Sequence, residues 1–409
     1  MKRIMKTLFI LILSTVFFVG CNTSGNDDYV TLELVSNKPE SIQLYKELIE
    51  KFEAEHPNIK IKFQVPPDPT TVLRTKMTRN KIPDIISISA EALYGELGRE
   101  GFLHDFSDSE LLDLVQPSYS DMLARLVGQD TEGHYAIPYA TNAVSVIYNK
   151  EKLAKYDLDV PTTWDEFIET LEILDQNNEI PIYFTLQDAW TAMPLWNALA
   201  SNIVSDDFSV EKTSGITTFQ ESYIEVAEKA IMLTDYGQDD IIGVGYDDGN
   251  RAFASGEGAF YIMGNWVIPE LLRINPQLEI GTFPLPVSNT PEENKLISGV
   301  DVALAISDSS KHKDEALQFI EFLLRDDIVE YYIDEQRTFS ALKDVYQEMP
   351  VFEGIQPNFE HERITSFVDH YYPSGLGHDG IIQELYIQKD IDSALRRLDS
   401  EWDKIIERQ

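Results

Sequence analysis

From residue 30 onward the chain alternates between two hydrophobic periods. Val30 to Val35 sets apolar and polar side chains in turn, the pattern of a strand with one buried face. Pro39 to His56 changes to the helical period, with Ile42, Tyr45, Leu48, Ile49 and Phe52 on one side, and Pro57-Asn58 ends it. Ile59 to Val65 reads as a second strand, a helix follows at about Thr70 to Asn80, and Pro83-Asp84 leads into a third strand, Ile85 to Ser89. Three strands separated by two helices predict an α/β fold with a parallel sheet and right-handed crossovers. Further strands are expected at Ala143 to Tyr148, Ile182 to Phe184, Ala259 to Met263 and Leu278 to Thr282. One helix starts near Lys150. Another starts behind Pro161-Thr162-Thr163, where Thr163 and Glu166 have the spacing of a capping box, and runs to about Gln176. Lys313 to Arg325 turns Ala316, Leu317, Ile320, Leu323 and Leu324 to one face, and Ile391 to Arg408 forms a last helix. No repeat or low-complexity linker interrupts the series, so the chain is expected to cross between its lobes several times.

The first twenty residues follow a different rule. Lys2, Arg3 and Lys6 precede an apolar run from Leu8 to Val19, broken only by Ser14 and Thr15. At about a dozen residues this run is too short to span a bilayer and has the length of a signal-peptide core. It ends at Phe18-Val19-Gly20-Cys21, and Cys21 is the only cysteine in the chain, so it has no internal disulfide partner. The segment resembles a bacterial lipobox, which implies cleavage after residue 20 and lipidation of Cys21. The alternative is a plain secretion signal with a chance cysteine. Residues 21–28 are polar and read as a tether.

Charge narrows the partners. The formal charge of −37 becomes −40 once Lys2, Arg3 and Lys6 are removed with the leader. Such a surface repels nucleic acid, whose binding rests on phosphate neutralisation by Lys and Arg. It also leaves the lipid as the only attraction to an anionic membrane. The carboxylates are scattered, as on a solvated outer surface.

Several phrases, in order, resemble the sugar-binding proteins of ABC importers to which maltose-binding protein belongs. They are Leu48-Ile49-Glu50-Lys51-Phe52-Glu53 with His56-Pro57-Asn58-Ile59-Lys60-Ile61, Pro83-Asp84-Ile85-Ile86, and Gly101-Phe102-Leu103 before Asp105-Phe106-Ser107. Next come Tyr135-Ala136-Ile137-Pro138-Tyr139, Val146-Ile147-Tyr148-Asn149-Lys150 and Pro161-Thr162-Thr163-Trp164-Asp165-Glu166. Phe253-Ala254-Ser255-Gly256-Glu257-Gly258-Ala259-Phe260, Met263-Gly264-Asn265-Trp266 and Lys313-Asp314-Glu315-Ala316 with Phe319-Ile320 complete the set, and beyond Arg325 the resemblance thins. It implies a periplasmic-binding-protein-like fold of type II, with two hinged α/β lobes and ligand held between them. One lobe would take residues 29–139 and 283–335, the other 143–280 and 340–409. The implied partners are a carbohydrate and the transmembrane subunits of an ABC permease; the chain would be a monomer with no cofactor and no metal.

A sugar presents hydroxyls, which need acceptors and donors in fixed geometry, and C–H faces, which suit flat aromatic rings. Gln187-Asp188-Ala189-Trp190 joins both types after a strand, and by resemblance Asp188 and Trp190 contact ligand; the structural alternative makes Trp190 core and Asp188 a helix cap. Asn265-Trp266 stands where the family places a stacking tryptophan. Asn142 holds a hinge-side position where some relatives carry a glutamate. Asn37, Lys38 and Glu91 would serve the first lobe's side, and Asp301 is either a sugar contact or a local cap. Trp196 reads as core and Trp164 as packing beside its capping box, while Tyr371, Tyr372 and Trp402 carry no assignment.

No catalytic arrangement stands out. The seven histidines are scattered without an H-E-x-x-H motif, and no G-x-S-x-G elbow occurs. Gly243-Val244-Gly245 lacks the spacing of a phosphate loop, and the acidic run Asp239 to Asp248 lacks the alternation of a calcium loop. The alternatives are a secreted glycoside hydrolase or lyase, the same fold holding a polyamine, phosphate, iron or uronic acid, and a sensor subunit. The cleft loops are poor in Arg, which favours a neutral sugar.

Overall fold

In the computed structural model, residues 29–128 and 131–408 are described. The leader, Cys21 and the tether lie outside them. Ten strands form one sheet: β1 (Val30–Ser36), β2 (Ile59–Gln64), β3 (Ile85–Ile88), β4 (Ile137–Asn149), β5 (Ile180–Ile182), β6 (Gly258–Gly264), β7 (Ile280–Phe283), β8 (Leu296–Ile306), β9 (Phe339–Ser340) and β10 (Ile364–Thr365). The main path is β2-β1-β3-β8-β4-β6-β5, with β7 and β9 on β4 and β10 on β8.

The expected parallel unit is present: β1 runs parallel to both β2 and β3. The sheet as a whole is mixed, because β8 enters antiparallel between β3 and β4. The predicted helices stand at Ile42–Glu55, Pro69–Thr78, Lys150–Lys155, Trp164–Gln176, Lys313–Leu323 and Ile391–Ile406. The Thr163–Glu166 capping box forms in both directions. Two expectations shift: the strand expected at Ile182 to Phe184 begins and ends two residues earlier, and β8 had no counterpart among the predicted strands.

Two hydrophobic cores share this sheet. The first gathers Leu32, Leu34, Tyr45, Phe52, Ile85, Tyr94, Tyr139, Leu304, Phe319 and Tyr332. The second gathers Val144, Val146, Phe167, Trp196, Phe208, Tyr223, Ile382 and Trp402. Strand β4 serves both, with Ile137 and Tyr139 in the first and Val144 and Val146 in the second. Strand β8 does likewise, through Leu304 and Ile297. Trp196 and Trp402 are fully buried, as core residues. Trp164 packs under the Lys229 ammonium, 3.8 Å from its ring centroid. Among the described residues no helix is long and apolar enough to cross a membrane.

Candidate ligand cleft

The site grows from the register of β4, β8 and β6. Asn142 pairs with Gly299 and Val144 with Ile297, and Val144 pairs on its other side with Gly264. Side chains two apart on a strand point the same way. Asn142, Val144, Ile297, Asp301 and the open sides of Gly299 and Gly264 therefore share one face. The charged pair on that face comes from opposite parts of the chain: Lys38 Nζ lies 2.6 Å from Asp301 Oδ1. The Asn142 amide donates to the same oxygen at 3.4 Å. The Asn37 amide donates to Ser89 Oγ at 3.1 Å, tying the end of β1 to the end of β3.

Beneath this floor Tyr45, Tyr139 and Tyr332 pack edge to face. Burial, with Asp301 nearby, pushes the Tyr45 and Tyr332 hydroxyls above their usual range, so they stay neutral donors. Asn37 Oδ1, Asn142 Oδ1, Thr141 Oγ1 and the Tyr139 hydroxyl are buried with no hydrogen-bond partner among the described residues. Each such group costs about 1–3 kcal/mol until it finds one.

Trp266 closes one end of this face. A Cβ on Gly264 would stand 2.0 Å from its Cζ3, so the ring rests directly on the Gly264 backbone, and any larger residue there would displace it. The ring remains 38 % exposed. Its neighbour Asn265 has another task. Asn265 is buried; its Oδ1 accepts from Ala143 N and its Nδ2 donates to the Arg337 carbonyl, both at 2.9 Å. The amide is thus committed to backbone beside β4.

The same sheet face carries two more rings, at residues absent from those expected of the site. A Cβ on Gly299 would lie 2.8 Å from Phe367 and 3.4 Å from His370. The two rings stack, centroids 4.8 Å apart and 18° from parallel. Between them in sequence, Asp369 is opposed by burial. His378, whose Nε2 stands 3.7 Å from Asp369 Oδ2, and the charge of His370 outweigh that effect and hold its carboxyl below the usual range. Phe367-Val368-Asp369-His370 interleaves aromatic and polar residues, the same signal applied at Asp188 and Trp190. It lies beyond Arg325, where the resemblance to the family thins. Tyr372 is buried in the second core, with its hydroxyl 2.8 Å from that of Tyr223.

Farther out, Trp190 is 41 % exposed rather than core, and its ring meets Tyr246 at 4.9 Å. With Asp188, Gly245, Asp247 and Asp248 these rings line an open cleft of about 340 Å³. Asp188 is a cap, though not of the helix that follows it. Its carboxylate accepts from Tyr246 N at 2.8 Å, at the start of the helix Tyr246–Ala254. Glu91 is exposed at the start of the helix Ala92–Arg99 and makes no capping bond. In the acidic turn, Asp240 accepts from Gly243 N at 2.7 Å. No group of three His, Cys, Asp or Glu side chains suited to a metal occurs among the described residues.

Similarity to known proteins extends over most of the chain. The multiple sugar-binding protein of Streptococcus mutans is 28% identical over 349 residues, covering 82% of either chain. The melibiose/raffinose/stachyose-binding protein MelE of Bacillus subtilis is 23% identical over 389 residues, covering 91% of this chain and 89% of its own. The apo form of RafE from Streptococcus pneumoniae superposes with a TM-score of 0.82 at 23% identity, covering 93% of this chain and 98% of that one. At that identity the superposition establishes the fold, a two-lobe solute-binding architecture. Residues 37–330 match the family described as bacterial extracellular solute-binding protein. On that match, which spans well over half its length, the chain belongs to the bacterial extracellular solute-binding protein family.

Proposed function

We propose that this protein captures a neutral oligosaccharide in the cleft between two lobes and delivers it to the membrane subunits of an ABC importer. One observation carries the reading. A single sheet face brings the Lys38–Asp301 pair and Asn142 together with the Trp266 ring at one end and the Phe367–His370 stack at the other. Paired polar groups flanked by rings suit a molecule with hydroxyls on its rim and C–H groups on its faces. The outer cleft adds Trp190 and Tyr246 among Asp188, Asp247 and Asp248, an acidic setting that disfavours uronic acids and phosphosugars. The relatives named for melibiose, raffinose, stachyose and multiple sugars support oligosaccharides of that size.

The lobes of this reading take residues 29–139 and 283–335 on one side and 143–280 and 340–409 on the other, and both cores draw residues from each. Lys38, Asn37, Glu91 and Asp301 belong to the first; Trp190, Trp266, Phe367 and His370 belong to the second. Only a ligand touching both halves favours closure, because it shifts the equilibrium by its difference in affinity for the two states. Asp188 and Asn265 act by positioning: one orders the helix that carries Tyr246, the other braces the turn that carries Trp266. Cys21 carries the lipid that holds this monomeric protein on the outer face of the membrane.

Tryptophan fluorescence and thermal unfolding with melibiose, raffinose and stachyose test the proposal. At least one sugar should perturb the emission of Trp190 and Trp266, raise the melting temperature by mass action, and be recovered intact. If none binds, the sugar reading falls; if the sugar is recovered cleaved, the protein is an enzyme instead.

A further inference from the structure

Asp369 stands in the short turn Val368–Tyr371, two residues after Phe367 and directly before His370. From there it reaches two helices. Its backbone N–H donates to Asn197 Oδ1 at 3.4 Å, in the helix Met193–Ile203. Its carboxylate Oδ2 lies 3.7 Å from Nε2 of His378, the first residue of the helix His378–Gln388. The Tyr372 ring meets that imidazole edge-on, with centroids 5.3 Å apart. Asp369 Oδ1 and His378 Nδ1 are both buried with no hydrogen-bond partner among the described residues, so no other bond to these atoms substitutes for the pair.

The same two helices carry one side of the outer cleft. Met193–Ile203 continues directly from the turn Ala189–Ala192, which holds Trp190. His378–Gln388 packs on that turn. Its Gln383 Nε2 donates to the Leu186 carbonyl at 2.6 Å, and its Tyr386 hydroxyl donates to the Ala192 carbonyl at 3.3 Å. The segment with Asp188 and Trp190 is therefore held on both sides by the helix that His378 opens.

We propose that Asp369 is a positioning residue which, paired with His378, sets where Trp190 stands relative to the Phe367–His370 stack, and so how well a longer sugar spans both. Phe367 and His370 are themselves fixed against Gly299, so the sheet supplies one end of this spacing. The Asp369–His378 pair and the Gln383 and Tyr386 bonds supply the other. Removing one partner of a buried charged pair leaves the other uncompensated, and the packed helix shifts to relieve it. A sugar confined to the inner face does not sense such a shift. One long enough to meet both the stack and Trp190 does, because its linked rings fit the two surfaces only at one separation.

The inference rests on the oligosaccharide-binding reading, and the test lets the two fail separately. In the full chain, Asp369→Asn and His378→Gln break the pair itself. Gln383→Ala cuts the same link at its far end, from a half-buried position, and decides the matter if the inner variants fold poorly. By calorimetry, each variant should lose affinity for stachyose roughly two- to fivefold more than for melibiose. Equal losses for the two sugars, or none, overturn the proposal, since a purely structural role lowers both alike. A second readout needs no sugar. In protein labelled with fluorotryptophan, with the Trp190 resonance identified by Trp190→Phe, each variant should shift or broaden that resonance. A Trp190 resonance that stays as in the parent overturns the positioning role. If the parent binds neither sugar, the oligosaccharide reading falls, and the Trp190 resonance still decides whether Asp369 sets the ring's place.

Discussion

The inner floor and the outer rim of the cleft use opposite physics. The floor is a set of polar groups held by one another: Lys38 against Asp301, Asn142 on the same oxygen, Asn37 on Ser89. The Lys38 and Asp301 side chains keep only 13% and 27% of their surface exposed. The rim, built by Trp190 and Tyr246, is open and aromatic, and its carboxylates are turned to capping or to solvent. Hydrogen bonds between enclosed groups reject any ligand that leaves them unpaired, whereas an exposed ring accepts any sugar with a C–H face. The floor should therefore decide which sugar binds, and the rim how much of a longer one is held.

The largest effect expected is at the floor. Asp301→Ala leaves the Lys38 ammonium enclosed and unpaired, and should cost about 2–3 kcal/mol for every sugar the protein binds. Calorimetry showing a loss for only the longer sugars would reverse the assignment of floor and rim. Trp266→Ala should weaken binding by about 1–2 kcal/mol, with tryptophan emission no longer responding fully. Gly264→Ala tests the same ring without removing it. The added Cβ would meet Trp266 at 2.0 Å, so affinity should fall by up to the Trp266→Ala amount with the circular dichroism spectrum unchanged. An unaltered affinity would mean that the ring tolerates displacement. Smallest of all, Trp190→Ala should cost about 1 kcal/mol or less, for stachyose more than for melibiose. An equal loss for both sugars would move Trp190 from the rim to the floor.

Much of the local structure was legible along the chain. Helix faces, the Thr163–Glu166 cap and the parallel β1–β3 unit follow from periods and turn residues that act over a few positions. The strand β8 was not legible, although it lies at the centre of the sheet. Gly299 and Asp301 interrupt its apolar run, and Val302 to Ile306 is buried on both faces, so no period-2 alternation remains. The C-terminal wall was hidden for a related reason. Strands β9 and β10 are two residues each, too short to leave a pattern, and Phe367 and His370 are placed by packing against Gly299.

The site divides along the same line. Residue type together with the family resemblance picked out Trp190, Trp266, Asn142, Lys38 and Asp301 as groups that could meet a sugar, because side-chain chemistry is carried by the residue itself and the resemblance supplies its place. It could not separate Asp188 and Asn265 from them, since whether a polar atom is free depends on which backbone group arrives beside it. Nor could it pair Lys38 with Asp301, 263 positions apart. Period and composition determined most of the helices, the parallel β1–β3 unit, the α/β class and the kinds of contact available to this protein. The antiparallel entry of β8 decided which of those side chains share a face, because only sheet register brings distant residues within a few ångströms of each other.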